Sequence, residues 1–287
     1  MRHCLALLLL ATGTPALAQV PPTAPATPVA PEPLDLTGDT VTLGAGVVLL
    51  PDYEGSDSSR FSPAPGAIGT IGGYNFVLAG NRFSVDVIRD NNGPGLDLQF
   101  GPIGVLNLNR SGIKSIDDAR VRALGKRGTA IEVGGFVGVG RTGVITSPYD
   151  RVSISLSYRH DVNGVHGSGI WQPTINYATP LSRKAVVGLF VSGERAGRGY
   201  ADTYFGVTPA EAIASGLPAY RARAGWKNYT VGAVGAVSLT GDLLHGWKLV
   251  AGGTYSRLLN GFSFSPVVRT AGNPNQWFGA LGVAYTF

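Results

Sequence analysis

The feature that most constrains this chain is a two-residue alternation repeated along most of its length. Val152, Ile154, Leu156 and Tyr158 interleave with Ser153, Ser155, Ser157 and Arg159. Successive side chains of a strand point to opposite faces, so one face is greasy and the other hydroxylic. The last residues repeat the pattern, with Trp277, Gly279, Leu281, Val283, Tyr285 and Phe287 on one parity and Phe278, Ala280, Gly282, Ala284 and Thr286 on the other. Tyr229, Val231, Ala233, Val237 and Leu239 oppose Thr230, Gly232, Ser238 and Thr240. Trp247, Leu249, Ala251 and Tyr255 oppose Lys248, Gly252, Thr254 and Ser256. A soluble sandwich alternates too, but two features favour a membrane wall. Aromatics (Trp171, Tyr177, Tyr229, Trp247, Tyr255, Trp277) fall at strand ends, where interfacial girdles need them. Tyr285 and the terminal Phe287 close an alternating strand, as in the assembly signal of bacterial outer-membrane barrels.

Composition agrees. Glycine, 42 of 287 residues, is about twice as frequent as usual, and charged residues, at 14%, about half. The glycines have no three-residue period, which excludes collagen. A hydrophobic share of 44% excludes global disorder. Gly-rich, charge-poor segments make poor helices, which argues against a soluble helical enzyme. No segment reaches the ~18 apolar residues of a spanning helix. In hydrocarbon the remaining way to pair every backbone group is a closed sheet. The expected fold is therefore all-β, a transmembrane antiparallel β-barrel with a short helix in one loop.

Strands are expected near 41–50, 66–77, 82–89, 95–108, 129–141, 151–161, 168–179, 184–195, 228–240, 246–258 and 275–287, eleven in all. Such barrels have even numbers, so twelve is expected and ten is the alternative. Residues 198–207 or 262–269 would supply the missing strand. The parity of 96–109 changes around Gly101-Pro102, which predicts a bulge or break. Gly72-Gly73, Gly134-Gly135, Gly138, Gly140 and Gly252-Gly253 are placed within strands, where they let the wall bend.

Three parts are expected along the chain. Residues 1–18 read as a signal peptide: a basic start, an apolar run over 5–11, and cleavage after Ala16-Leu17-Ala18. Cleavage removes Cys4, the one cysteine. Residues 19–39 form a Pro-rich periplasmic arm, either a passive spacer or a recognition segment. Residues 40–287 form the outer-membrane barrel. Within it Thr208-Pro209-Ala210-Glu211 reads as a helix start, with Thr as N-cap, and Gly216 with Pro218 as its stop. That helix would plug the lumen or dock at a barrel mouth.

Chemistry is sparse. His160-Asp161 are strand neighbours on opposite faces and do not pair simply. His166 and His245 lie in glycine-containing turns and are expected in solvent. No catalytic residue, cofactor site or metal site is assigned, and Asp117-Asp118 is read as neutralised by its basic neighbours rather than as a calcium site. The formal charge of +5 forms no Lys/Arg cluster on a helical or aromatic pattern. Nucleic acid is thus a poor partner, and the charge reads as solvated surface. Asp86, Asp97, Gln99, Glu132, Arg159, Gln172, Asn176 and Lys248 are expected in the lumen. Opposite charges there would pair, or set ion selectivity if the lumen is open.

Tyr204-Phe205-Gly206-Val207-Thr208, Glu211-Ala212 and Ser215-Gly216-Leu217-Pro218-Ala219-Tyr220 resemble the signature of the MipA/OmpV family of outer-membrane proteins. Pro51-Asp52-Tyr53-Glu54-Gly55-Ser56-Asp57 with Arg60 and Pro63, Tyr255-Ser256-Arg257-Leu258-Leu259, Ser265-Pro266-Val267 and Gly282-Val283-Ala284-Tyr285-Thr286-Phe287 extend the likeness over nearly all of the chain after the proline arm. The resemblance implies a scaffold that gathers a lytic transglycosylase and a murein synthase, in contact with outer-membrane lipid and the barrel-assembly machinery. Members also associated with osmotic response, adhesion and antibiotic susceptibility leave a pore for small solutes or a surface adhesin as alternatives. The residues expected to bind partners are Tyr53, Glu54, Gly55, Asp57, Arg60, Tyr204, Phe205, Glu211, Leu217 and Tyr220. They lie in polar, aromatic loops of the kind that often bind.

Overall fold

The computed structural model describes residues 38–89 and 95–287; the expected signal peptide and all but the end of the proline arm lie outside them. Among the described residues are twelve strands. These are β1 (Thr40–Pro51), β2 (Ser59–Ile71), β3 (Tyr74–Ala79), β4 (Arg82–Val85), β5 (Leu96–Asn107) and β6 (Ala130–Thr142). They continue as β7 (Arg151–Asp161), β8 (Gly169–Ser182), β9 (Ala185–Ala196), β10 (Gly225–Ser238), β11 (Gly246–Leu258) and β12 (Asn275–Thr286). Each pairs antiparallel with its neighbours in sequence, and β1 closes on β12, with Thr42 opposite Thr286 and Leu49 opposite Gly279. The Phe287 N–H extends this seam by donating to the Val41 carbonyl at 2.9 Å. Closure gives every strand a neighbour on both sides, as a bilayer demands, although β2 meets the short β3 only from Gly66 to Ile71.

The twelfth strand comes from a split, not from an unread segment. The expected strand at 66–77 is two strands folded about Gly72-Gly73, whose φ angles of 60° and 81° suit a tight turn. Residues 198–207 and 262–269 contribute helices instead. β5 also holds a single parity through Gly101-Pro102, in unbroken register with β6 from Leu96 to Asn107. Leu96, Leu98 and Phe100 face outward, but Ile103 points inward and is buried. The apolar residues change faces there because the lumen itself is filled at that level.

Alternation elsewhere sorts the wall as expected. Ile154, Leu156, Leu189, Val231, Leu281 and Val283 are exposed on the outside, forming an apolar belt. Aromatics bracket the belt at two levels. At one end Tyr158 packs on Trp171 (centroids 4.7 Å) and Tyr255 on both Tyr229 and Trp277 (6.2 and 4.9 Å). At the other, Tyr285 contacts Trp247 (5.2 Å) and Phe287 (4.8 Å). Gly134 lies inside the wall because a Cβ there would sit 1.8 Å from the Tyr158 carbonyl oxygen of β7.

Strand directions give the barrel two unlike ends. Thr40 and Phe287 share one end with short connections such as 72–73 and 183–184. The opposite, loop end carries residues 52–58, 108–129, 162–168, 197–224 and 259–274. These hold α1 (Ala119–Ala123), α2 (Arg198–Phe205), α3 (Pro209–Ser215), α4 (Asn260–Ser263) and α5 (Pro266–Arg269).

Candidate functional site

The loops at that end fold inward into a cap with its own apolar core. Tyr200, Ala201, Tyr204 and Phe205 of α2 pack with Phe262, Val268 and the wall residues Ile170, Ala196 and Leu258. Tyr53, Ile116, Val121, Leu124, Val207, Leu217 and Val267 form a second cluster, and Tyr220 packs against both. Local chemistry sets the helices. α3 starts in a capping box: the Thr208 hydroxyl accepts from the Glu211 N–H, and the Glu211 carboxylate from the Thr208 N–H. It ends at Gly216, whose φ of 73° is left-handed. Asp118 caps α1 by accepting from the Arg120 and Val121 amides. Arg110 is buried among these segments, donating to the carbonyls of Tyr204 (3.4 Å) and Gly125 (3.2 Å). Burial, with Arg127 beside it, lowers its pKa to about 10.

Where the cap meets the wall lies a network of buried charges. Arg159 of β7 donates through Nε to Glu132 of β6 (2.5 Å) and through Nη2 to Glu194 of β9 (2.5 Å). Its remaining Nη1 donates to Gln172 Oε1 (2.9 Å), which also accepts from Arg82 (2.7 Å). Lys227 Nζ bridges Glu194 (2.5 Å) and Glu54 of the β1–β2 loop (2.6 Å). Tyr200 of α2 accepts from Lys227 (3.2 Å) and donates to Glu54 (2.7 Å), tying the cap to the wall. Opposite charges thus satisfy one another, which is what makes ions tolerable inside a wall.

Toward the terminus end the lumen opens. Inward-facing Ile68 and Val234 are 56% and 45% exposed. Asp97 pairs with Arg151 across the polar arc of β5 and β7. At the rim, residues 143–150 wrap around the buried Asp150 carboxylate, which accepts from the amides of Val144 (2.6 Å), Ile145 (2.9 Å), Thr146 and Ser147 (3.4 Å). Burial opposes that charge, but the backbone donors outweigh it and hold the pKa far below the usual carboxylate range. The fixed loop presents Ile145 67% exposed.

A family model, MltA-interacting protein MipA, matches residues 43–287. The chain belongs to the MipA family. No curated protein matches it. Among solved structures it is similar to the Pseudomonas putida toluene transporter TodX, at 10% identity and TM-score 0.34, covering 87% of this chain and 88% of that one. It is also similar to the outer-membrane-expressed OmpT of Vibrio cholerae, at 11% identity and TM-score 0.32, covering 87% and 97%. The match to the outer membrane protein OprD from Pseudomonas aeruginosa has 9% identity and TM-score 0.31, covering 87% and 92%. A closed barrel with an apolar belt and this family membership make it an outer-membrane protein.

In this MipA-family barrel the residues expected to bind partners lie in or beside the cap. Tyr53, Gly55, Tyr204, Phe205 and Leu217 are buried; Glu54, Arg60, Glu211 and Tyr220 are half-buried; only Asp57 is exposed. Tyr53 donates to the Ala271 and Val267 carbonyls, and Glu211 pairs with Arg127 at 2.5 Å. These side chains are engaged within the cap, so a partner would reach most of them only by opening it. His166 is not in solvent as expected but buried, its Nε2 3.3 Å from Glu132 and its ring edge-on to Tyr200. The turn folds inward because the Asp161 carboxylate accepts from the amides of Asn163, His166 and Gly167. His160 does face outward and Asp161 inward. Among the expected lumen residues Glu132 and Arg159 meet inside the barrel, whereas the Asp86 carboxylate accepts from the Phe100 and Ile88 amides of the wall. Lys227 was hidden by a bulge between Trp226 and Asn228, which turns it inward out of strict parity. Glu194 shares the inward parity of Ser192 and was legible by that signal.

Proposed function

We propose that the protein is an outer-membrane docking barrel for murein-remodelling enzymes, a lytic transglycosylase together with a murein synthase. The observation that carries this reading is the sealed loop end, where apolar clusters and mutually paired ions fill the lumen. Such an interior suits an anchor better than a conduit. The family's naming for an interaction with MltA supports a partner of this kind. Short connections of such barrels face the periplasm, where murein lies, so docking falls on the terminus end. Its preorganised feature is the 143–150 loop with exposed Val144 and Ile145. Full-length chain captured from crosslinked envelopes should bring down a lytic transglycosylase, and Ile145→Asp should reduce recovery at least fivefold. Equal recovery of only abundant outer-membrane proteins by both chains would reject the scaffold.

A pore is the second reading, favoured by the exposed inward-facing Ile68 and Val234 at the open end. It requires the cap to move. Planar-bilayer recording distinguishes the two: the docking barrel should be silent, and steady conductance by the wild-type chain would favour the pore.

A further inference from the structure

The loop end carries a second site, in the connection between β9 and β10 and apart from the buried charge network. Arg198, Arg221, Ala222, Arg223 and Ala224 line one cleft of about 520 Å³. Arg221 and Arg223 are exposed and have no ion-pair partner among the described residues, while Arg198, with its side chain 61% exposed, meets Asp202 only at 3.5 Å. Three guanidinium groups around one cleft repel one another, an arrangement that favours an anion between them.

The position of the cleft says which anion. The chain runs from Ala224 through Gly225 into Trp226, an outward residue whose β9 partner is Arg195. Arg195 is in turn opposite Trp171 of β8, and Trp171 packs on Tyr158. Outward arginine and tryptophan therefore alternate across β8, β9 and β10 at one level. Tryptophan and tyrosine mark the headgroup level of a bilayer, and an outward arginine is tolerated near that interface rather than in the hydrocarbon. The cleft consequently opens at the depth of lipid phosphates. Guanidinium groups match phosphate oxygens in bidentate geometry, and basic pockets at this level bind anionic headgroups.

We infer that the Arg198–Arg221–Arg223 cleft binds the phosphate of a lipid headgroup seated against Trp226. The long loops of such barrels face the cell exterior, so the lipid is the phosphorylated glycolipid of the outer leaflet. This assignment does not depend on which enzyme docks below.

Native mass spectrometry on the full-length refolded chain tests it, with bisphosphorylated lipid A as probe and its dephosphorylated form and phosphatidylglycerol as comparators. Wild type should retain bisphosphorylated lipid A at least tenfold more tightly than either comparator, and millimolar inorganic phosphate should not displace it. R198Q/R221Q/R223Q should lose that preference. K114Q/K126Q/R269Q removes the same charge elsewhere on the loop end and should keep it. Heat-modifiable migration on gels verifies that each variant is folded, and a triple variant that misfolds is replaced by R221Q alone, expected to lose preference severalfold. Equal loss in both triple variants would reduce the site to diffuse charge. Binding of dephosphorylated lipid or phosphatidylglycerol as tight as wild type's to lipid A, or displacement by free phosphate, would also overturn it.

Discussion

Arg159 serves two carboxylates at once: Glu132, which is fully buried, and Glu194, which it shares with Lys227. Removing one partner of a buried ion pair leaves a charge uncompensated, at a cost of about 3–5 kcal/mol. Arg159→Met should lower the urea midpoint of the refolded barrel accordingly, followed by tryptophan fluorescence. Adding Glu132→Gln should recover part of the loss, because it removes one stranded charge. A single variant as stable as wild type would show that the network is solvated. Strand parity made Arg159 and Glu132 legible as inward residues. It did not reach Lys227, which lies just before the expected strand 228–240, because one extra residue in β10 rotates its side chain to the lumen and no residue type announces such a bulge. His166 was misjudged for another reason: a turn becomes core when an acid, here Asp161, gathers its amides.

At the level of elements, local rules succeeded where the forces are local. The ends of α3 follow from Thr208, Glu211 and Gly216 alone. The 66–77 stretch failed because both halves are strand-forming and only the glycine pair marks the fold between them. The 143–150 loop was not anticipated, since its order depends on one carboxylate serving four separate amides. Its pH response follows from the sign of the Asp150 shift. A folded-state pKa held below the unfolded value of ~3.9 contributes stability above that value and loses it as pH falls through the folded one. Hydrogen exchange at residues 144–147, corrected for intrinsic rate, should be equally protected at pH 7 and pH 5 and weaken below about pH 4. Asp150→Asn should lose protection at neutral pH; full protection in that variant would assign the loop's order to other contacts.

For the whole molecule, the barrel was legible because the bilayer enforces one rule on every strand: apolar outside, and anything tolerable inside. The cap was not, since its segments alternate with nothing and acquire partners only once the wall has closed around them. The rule makes a paired prediction on β7, where Leu156 faces outward opposite Val137 and the adjacent Ser155 faces the lumen. An arginine facing lipid at mid-membrane costs about 2–4 kcal/mol. The same side chain one residue earlier enters a lumen whose neighbouring arc already holds Gln99 and the Asp97–Arg151 pair. Leu156→Arg should therefore lower unfolding stability in lipid vesicles by that amount, while Ser155→Arg should change it by less than about 1 kcal/mol, within the range usual for substitutions that break no buried contact. Equal penalties would mean that water does not reach the middle of this lumen, and a reversed order would mean that the assigned faces are exchanged. Because a one-residue shift of register exchanges all inward and outward residues of a strand together, this single pair tests the wall around it as well as the two positions.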